Sequence, residues 1–301
     1  VHRAVQFIRD SLVRSITLMD DSIVRFSYPN YSAAYALRVL HLLSSDTILQ
    51  RELADHLLRE QFVENRGIQS DNLAYGGWGY GEPDLKWGQH GHVDISHTRK
   101  IAEALIESGY LVTSADRIKA IELFLKGVQR SLDDQRNYAG CLSRDKLPYD
   151  GGFISSVATL AANKCQAIQV EGAGLHYPSY ATATCDGFLA LYALNMQETL
   201  AYRDARQWLA RNQKIDVIDG LSPDNPAQWY LIMHYYHWSV RAEAMRKAGI
   251  DGPWKEEMIK ALIREQQPGG YYINPIGGVN KEDDPLMSTI FCVQAMTELS
   301  K

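Results

Sequence analysis

Four segments of this chain end in the same way, and that repetition restricts the fold more than any other feature. Leu57–Leu58–Arg59–Glu60–Gln61, Phe124 to Gln129, Trp208 to Gln213 and Leu262 to Gln266 each place an apolar or aromatic residue one helical turn before a terminal glutamine. Three of them lead into a glycine-aromatic stretch: Gly76–Gly77–Trp78–Gly79–Tyr80, Gly151–Gly152–Phe153 and Gly269–Gly270–Tyr271–Tyr272. After Gln213 only Gly220 remains, so that copy is degenerate, and the long link between Gln61 and Gly76 marks an insertion. A motif that returns in this way signals stacked supersecondary units, none of which can bury its apolar face alone.

Small and apolar residues recur at helical spacing after each glycine stretch, as in Ala102, Leu105 and Ile106, or Ala183, Gly187, Leu191 and Leu194. The pattern predicts inner helices over Ser32–Ser44, Ile95–Ser108, Tyr180–Met196, Pro226–Gly249 and Pro285–Leu299. Asn225–Pro226 and Asp284–Pro285 each set an N-cap before a proline at the first helical position, and Asp94 and Ser179 fit the same role. Outer helices are expected over His2–Ile16, Ile48–Val63, Ser114–Leu132, Thr199–Gln213 and Trp254–Gln266. That is about ten helices by this reading, with almost no strand. The last inner helix has no following partner and the first helix no preceding one, so a closed ring satisfies both. The expected fold is an all-α toroid of helical hairpins forming a single domain over residues 1–301.

The length of 301 residues exceeds the usual single domain, but repeat folds grow by adding units. No stretch is apolar for the 18 or so residues of a membrane helix. The net charge of −5 argues against a nucleic-acid footprint, and Arg203 to Lys214 reads as a solvated helix face. The four cysteines, Cys141, Cys165, Cys185 and Cys292, form no CxxC pair. Cys185 and Cys292 fit core positions; a Cys141–Cys165 disulfide stays open. A start at Val1 rather than Met fits a trimmed or processed chain and leaves the compartment open.

The glutamine-then-glycine-aromatic repeat, with Asp94–Ile95–Ser96–His97–Thr98 and Ser179–Tyr180–Ala181–Thr182–Ala183–Thr184–Cys185–Asp186–Gly187, resembles the squalene-cyclase and prenyltransferase repeat family. The resemblance covers nearly the whole chain and is similar to bacterial proteins made of one such toroid. It implies an (α/α)6-type barrel whose inner helices line a central cavity for an isoprenoid or similarly apolar substrate. The sequence departs from the family's reactive motifs. Terpene cyclases of this kind protonate with Asp-x-Asp-Asp-Thr, whereas Asp94–Ile95–Ser96–His97–Thr98 keeps one carboxylate. Glu282–Asp283–Asp284 precedes the last inner helix, out of the motif's register. Met287 or Ser288 stands where a prenyltransferase would place its zinc histidine, and Cys185 sits too far along its helix, so neither that zinc site nor any other cofactor is expected. The Cys-Gly-Glu-Gln of thioester domains is absent. Polysaccharide lyases and hydrolases also use helical toroids, with paired acid and base groups in an aromatic cleft, and remain an alternative alongside a non-catalytic binding or scaffold module.

The candidate chemistry gathers at few places. His90, His92 and Asp94 alternate and, if extended, project to one side, with His97 one helical turn beyond. They suit general acid–base work or a metal, or else an N-cap with solvated histidines. Asp283 and Asp284 are a carboxylate pair or a helix-start cap. Asp186, in an apolar helix, must face a cavity or a partner. Catalytic candidates are therefore Asp94, His97, His92, Asp284 and Asp186. Aromatic faces suit a carbocation or a sugar, which selects Trp78, Trp87, Tyr149 and Tyr180, with His234, Tyr235 and Tyr236 as a second cavity wall, while Trp78 and Tyr271 of the glycine-aromatic turns also fit a structural role that ties adjacent hairpins together. The expected partner is a small-molecule or oligosaccharide ligand.

Overall fold

The computed structural model describes residues 2–13, 28–112, 114–138 and 140–301. It is mostly helical, with eleven α-helices among the described residues. In order these are α1 (His2–Phe7), α2 (Pro29–Leu42), α3 (Thr47–Glu60), α4 (Ile95–Glu107), α5 (Ala115–Gln129), α6 (Ala181–Ala193), α7 (Leu200–Arg211), α8 (Trp229–Ile232), α9 (His234–Lys247), α10 (Trp254–Glu265) and α11 (Pro285–Leu299). A two-stranded antiparallel ribbon, β1 (Ile168–Val170) and β2 (Gly174–His176), pairs Ile168 with His176. The all-α class expected from periodicity is the class observed.

The caps explain where helices begin. Asp94 and Asp284 cap α4 and α11 as expected, accepting from the backbone N–H of His97 and Leu286. Two other starts differ. Ser179 is not the cap of α6: its hydroxyl donates to Asp150, and the helix begins after Tyr180 with no side-chain cap. Asn225 holds a turn, accepting from Ala227 N–H and donating to the Lys164 carbonyl. Gln228 then takes a φ of +51°, which delays the helix start to Trp229, and Met233, at φ −103° and ψ 34°, divides the segment expected as one helix from Pro226 into α8 and α9. The first segment is α1 continued as a π-helix over Ile8–Val13, and positions 14–16 of its expected span lie outside the described residues.

Helix ends share one device. Ser44, Gly109, Asn195 and Gly249, each just past a C-cap, all have positive φ. Their N–H groups reach back to His41, Ile106, Tyr192 and Arg246 carbonyls, the left-handed cap that satisfies orphan acceptors and turns the chain sharply. The glutamines serve a second device. The Gln61 side-chain amide donates from Nε2 to the Gly76 carbonyl at 3.1 Å and to the Arg117 carbonyl in the first turn of α5. Gln129 does the same with Gly151 O and Ala201 O of α7. Gln266 reaches Gly270 O, whereas Gln213 bonds only within its own helix end, at Ala210 O. The aromatic residue of each turn donates its backbone N–H to a threonine hydroxyl one turn into the next helix: Trp78 to Thr98, Phe153 to Thr184 and Tyr272 to Thr289.

Contacts gather in two compact units, residues 1–128, 133–138 and 155–162 in one, and the remainder in the other. In the first, α2 packs on α3 and α4, burying Leu37, Leu40, Leu53, Leu57, Ile101 and Leu105. Each such leucine contributes about 1.5–3 kcal/mol by leaving water. In the second, α6 packs on α7 and α9, and α9 on α11, around Phe188, Leu189, Trp238, Met245 and Cys292. All four cysteines are free thiols, so the Cys141–Cys165 bridge is not formed, and burial pushes Cys165 up to about 12.

Candidate functional site

The site is assembled where a loop enters helix α4. The chain bends at His92 and is extended at Asp94, and Val93 between them is fully buried while the His92 and Asp94 side chains meet. At Ile95 the helix begins, and one turn later His97 swings back over Asp94. The result is one carboxylate between two imidazoles. His92 Nε2 lies 2.5 Å from Asp94 Oδ2, and His97 Nδ1 lies 3.0 Å from both carboxylate oxygens. Asp94 Oδ1 is also the helix cap, accepting from His97 N–H at 2.8 Å.

Three tyrosines wall this cluster. Tyr80 stacks on the His92 ring at 3.8 Å and 10°, and meets His97 edge-on at 4.9 Å. Tyr31 meets His97 edge-on at 4.2 Å, and Tyr28 lies against both Tyr80 and His97. Gly79 makes the stack possible: a Cβ there would lie 1.7 Å from the His92 carbonyl oxygen. Glu82 holds the other side of His92, accepting its backbone N–H at 2.9 Å. The side chains of His92, Asp94 and His97 keep exposures of 14%, 12% and 7%, so the cluster is sheltered but reachable.

Burial alone would raise the Asp94 carboxyl. The charge of His97 and the hydrogen bonds from His92 and His97 outweigh it and hold the group well below the ordinary carboxylate range. Burial pushes the Tyr80 hydroxyl up, so it stays protonated at neutral pH. His97 Nε2 is buried and has no hydrogen-bond partner. An orphan polar atom of this kind costs free energy in a merely structural residue and is what a reacting or liganding atom looks like.

The remaining candidates fall elsewhere. His90 does not join the cluster: Gly91 has a φ of +57°, which turns the chain between His90 and His92, and the His90 ring turns to the Gly91 carbonyl and the edge of Phe62. Trp78 is fully buried with its indole N–H on Leu57 O, and Tyr180 is equally enclosed, so both serve packing in this conformation. Trp87 is exposed on the inserted loop. In the second unit, Tyr149 donates to Asp204, and the buried Asp186 accepts from the Tyr236 hydroxyl at 3.0 Å. His234 pairs with Glu265 at 2.8 Å, and Tyr235 is packed among Trp238 and Tyr272. Asp284 and Asp283 are solvated, and the buried acid of that run is Glu282, which accepts the N–H groups of Tyr235 and Tyr236 at the start of α9.

Sequence reasoning missed Tyr28, Tyr31 and Glu82. The spacing of Tyr28, Tyr31 and Tyr35 does mark one helical face, but which face meets Asp94 is settled only by packing. A cavity of about 560 Å³ near Asp71, Asp134 and Arg136 contains none of the candidates, and its buried Asp134 and Arg136 satisfy each other at 2.8 Å. No helix among the described residues is long and apolar enough to cross a membrane. No family model matches the chain, and no curated protein is similar enough to it to count as a relative.

Proposed function

We propose that this chain is an enzyme of squalene-cyclase and prenyltransferase-like toroidal architecture, acting on an isoprenoid or similarly apolar substrate, with Asp94, His97 and His92 as its reactive centre. The observation that carries the reading is the convergence of one carboxylate and two imidazoles inside a shell of tyrosine rings. The recurring glutamine-to-glycine and aromatic-to-threonine bonds support the repeat architecture.

The chemistry follows from the geometry. With Nδ1 turned to the Asp94 carboxylate, His97 keeps Nε2 clear of any hydrogen-bond partner, the arrangement in which a carboxylate orients an imidazole for general-base work. The tyrosine faces stabilise positive charge developing on an apolar substrate.

The test is conversion of prenyl diphosphates, polyenes and oligosaccharides, followed by mass spectrometry. Turnover of an apolar substrate is expected, with His97→Ala and Asp94→Asn each lowering it at least about 100-fold. Conversion of oligosaccharides alone would favour a carbohydrate-active toroid. Turnover indifferent to both substitutions, or none on any class, overturns the reading.

A further inference from the structure

We propose that His92, Asp94 and His97 bind one divalent transition-metal ion of the zinc kind. The inference builds on the reading of this cluster as the reactive centre and adds what the cluster holds. One donor atom from each residue, an imidazole nitrogen from each histidine and a carboxylate oxygen from Asp94, all lie within 4.8 Å of one another. Ligand bonds of about 2.0–2.2 Å require donors at such mutual spacings around one centre.

The details fit a ligand set. Asp94 divides its oxygens: Oδ1 caps α4 through His97 N–H, which fixes the carboxylate plane, and Oδ2 is left to face His92. That is the outer-shell fixing that orients metal-binding carboxylates. The His92 ring is clamped by its stack on Tyr80, and its backbone by Glu82. His97 is fixed by the helix and by the Tyr31 and Tyr80 rings. The second oxygen of Glu82 is buried with no hydrogen-bond partner, which sets an unsatisfied carboxylate oxygen next to the residue whose backbone its other oxygen holds, an acceptor-rich setting that suits a cation. Two imidazoles and one carboxylate are a borderline-soft set suited to zinc or iron(II), and three protein ligands leave a position for water or substrate.

A bound ion changes the chemistry of the centre. His97 would hold the ion through Nδ1, the nitrogen that faces Asp94, and the ion would supply an activated water as the base. The spacing His92-x-Asp94-x-x-His97 brings the three side chains together across the loop before α4 and its first turn.

The test is Zn²⁺ and Co²⁺ binding to the chelator-stripped full chain, by competition with a chromophoric chelator and by the visible spectrum of the Co²⁺ form. One ion per chain is expected. His92→Ala, His97→Ala and Asp94→Asn should each weaken it at least about tenfold, while His90→Ala leaves it unchanged. Asparagine is as good a helix cap as aspartate, so Asp94→Asn removes the anionic ligand while keeping the helix start. Circular dichroism of each variant separates lost binding from lost folding. Wild-type binding no tighter than that of a folded triple variant overturns the proposal. If such a chain still turns over an apolar substrate in an Asp94-dependent way, the acid–base reading stands alone. Site-specific metal binding with no turnover of any substrate supports the metal site and removes the proposed reaction.

Discussion

At the scale of single residues, the site depends on Gly79 as much as on the groups that carry charge. Its missing Cβ lets the chain lie against the His92 carbonyl and brings Tyr80 onto the His92 ring. Gly79→Ala puts a methyl group into backbone, which cannot rotate away. A loss of at least about 3 kcal/mol in denaturant unfolding is expected, with His92 released from its stack. A stability within about 0.5 kcal/mol of wild type would show that the loop relaxes freely. His90 makes the opposite point: one residue with positive φ, Gly91, separates it from a cluster that lies two positions away. Alternation of residue types is legible in a sequence, but whether the backbone is extended between them is not.

At the scale of elements, the fold uses the same few bonds repeatedly. The left-handed cap after α2 is occupied by Ser44 at φ +48°, whereas the matching caps after α4 and α9 use glycine. A side chain at positive φ costs conformational energy that glycine avoids, and the Ser44 side chain is exposed. Ser44→Gly is therefore expected to stabilise the chain by about 0.5–1 kcal/mol, read as a rise in the denaturant midpoint at unchanged slope. A fall would mean that the α2–α3 turn is held by something other than this cap. Helix starts were partly legible. Asp94 and Asp284 cap where a short acid precedes an apolar period, but Ser179 is drawn away by Asp150 and Asn225 by a turn. A capping residue has several acceptors and donors within reach, and the nearest in sequence does not always win.

At the scale of the whole molecule, each compact unit carries a histidine held neutral by its surroundings. Burial and the charges of Arg59 and Arg66 lower His56 to about 4, and its Nε2 pairs with Asn30 Oδ1. Burial and Arg130 lower His176 to about 4, with Arg130 donating to its Nδ1 at 2.6 Å. The unfolded chain takes up these protons near the ordinary histidine value of 6.5, the folded chain only near 4. Between those limits the unfolded state binds more protons, so stability falls as pH drops from 6.5 toward 4. Thermal unfolding across that range should show a decreasing midpoint, and His56→Gln should flatten the slope. A midpoint constant from pH 7 to 4.5 would contradict both assignments.

The sequence by itself determined the helical class, the approximate span of most helices, and the two acids that start α4 and α11. These are local properties: apolar period, cap chemistry and turn glycines act over one or two turns of chain. It also marked His92, Asp94 and His97, because residues that close in sequence meet through local geometry alone. Tertiary structure decided what surrounds them. Tyr31 comes from α2, Tyr28 from the residue that precedes it and Tyr80 from the glycine-aromatic turn, and only packing brings them to the imidazoles. It likewise decided that Glu282, not its neighbours Asp283 and Asp284, is the buried acid, because burial depends on which distant backbone N–H groups arrive beside a carboxylate.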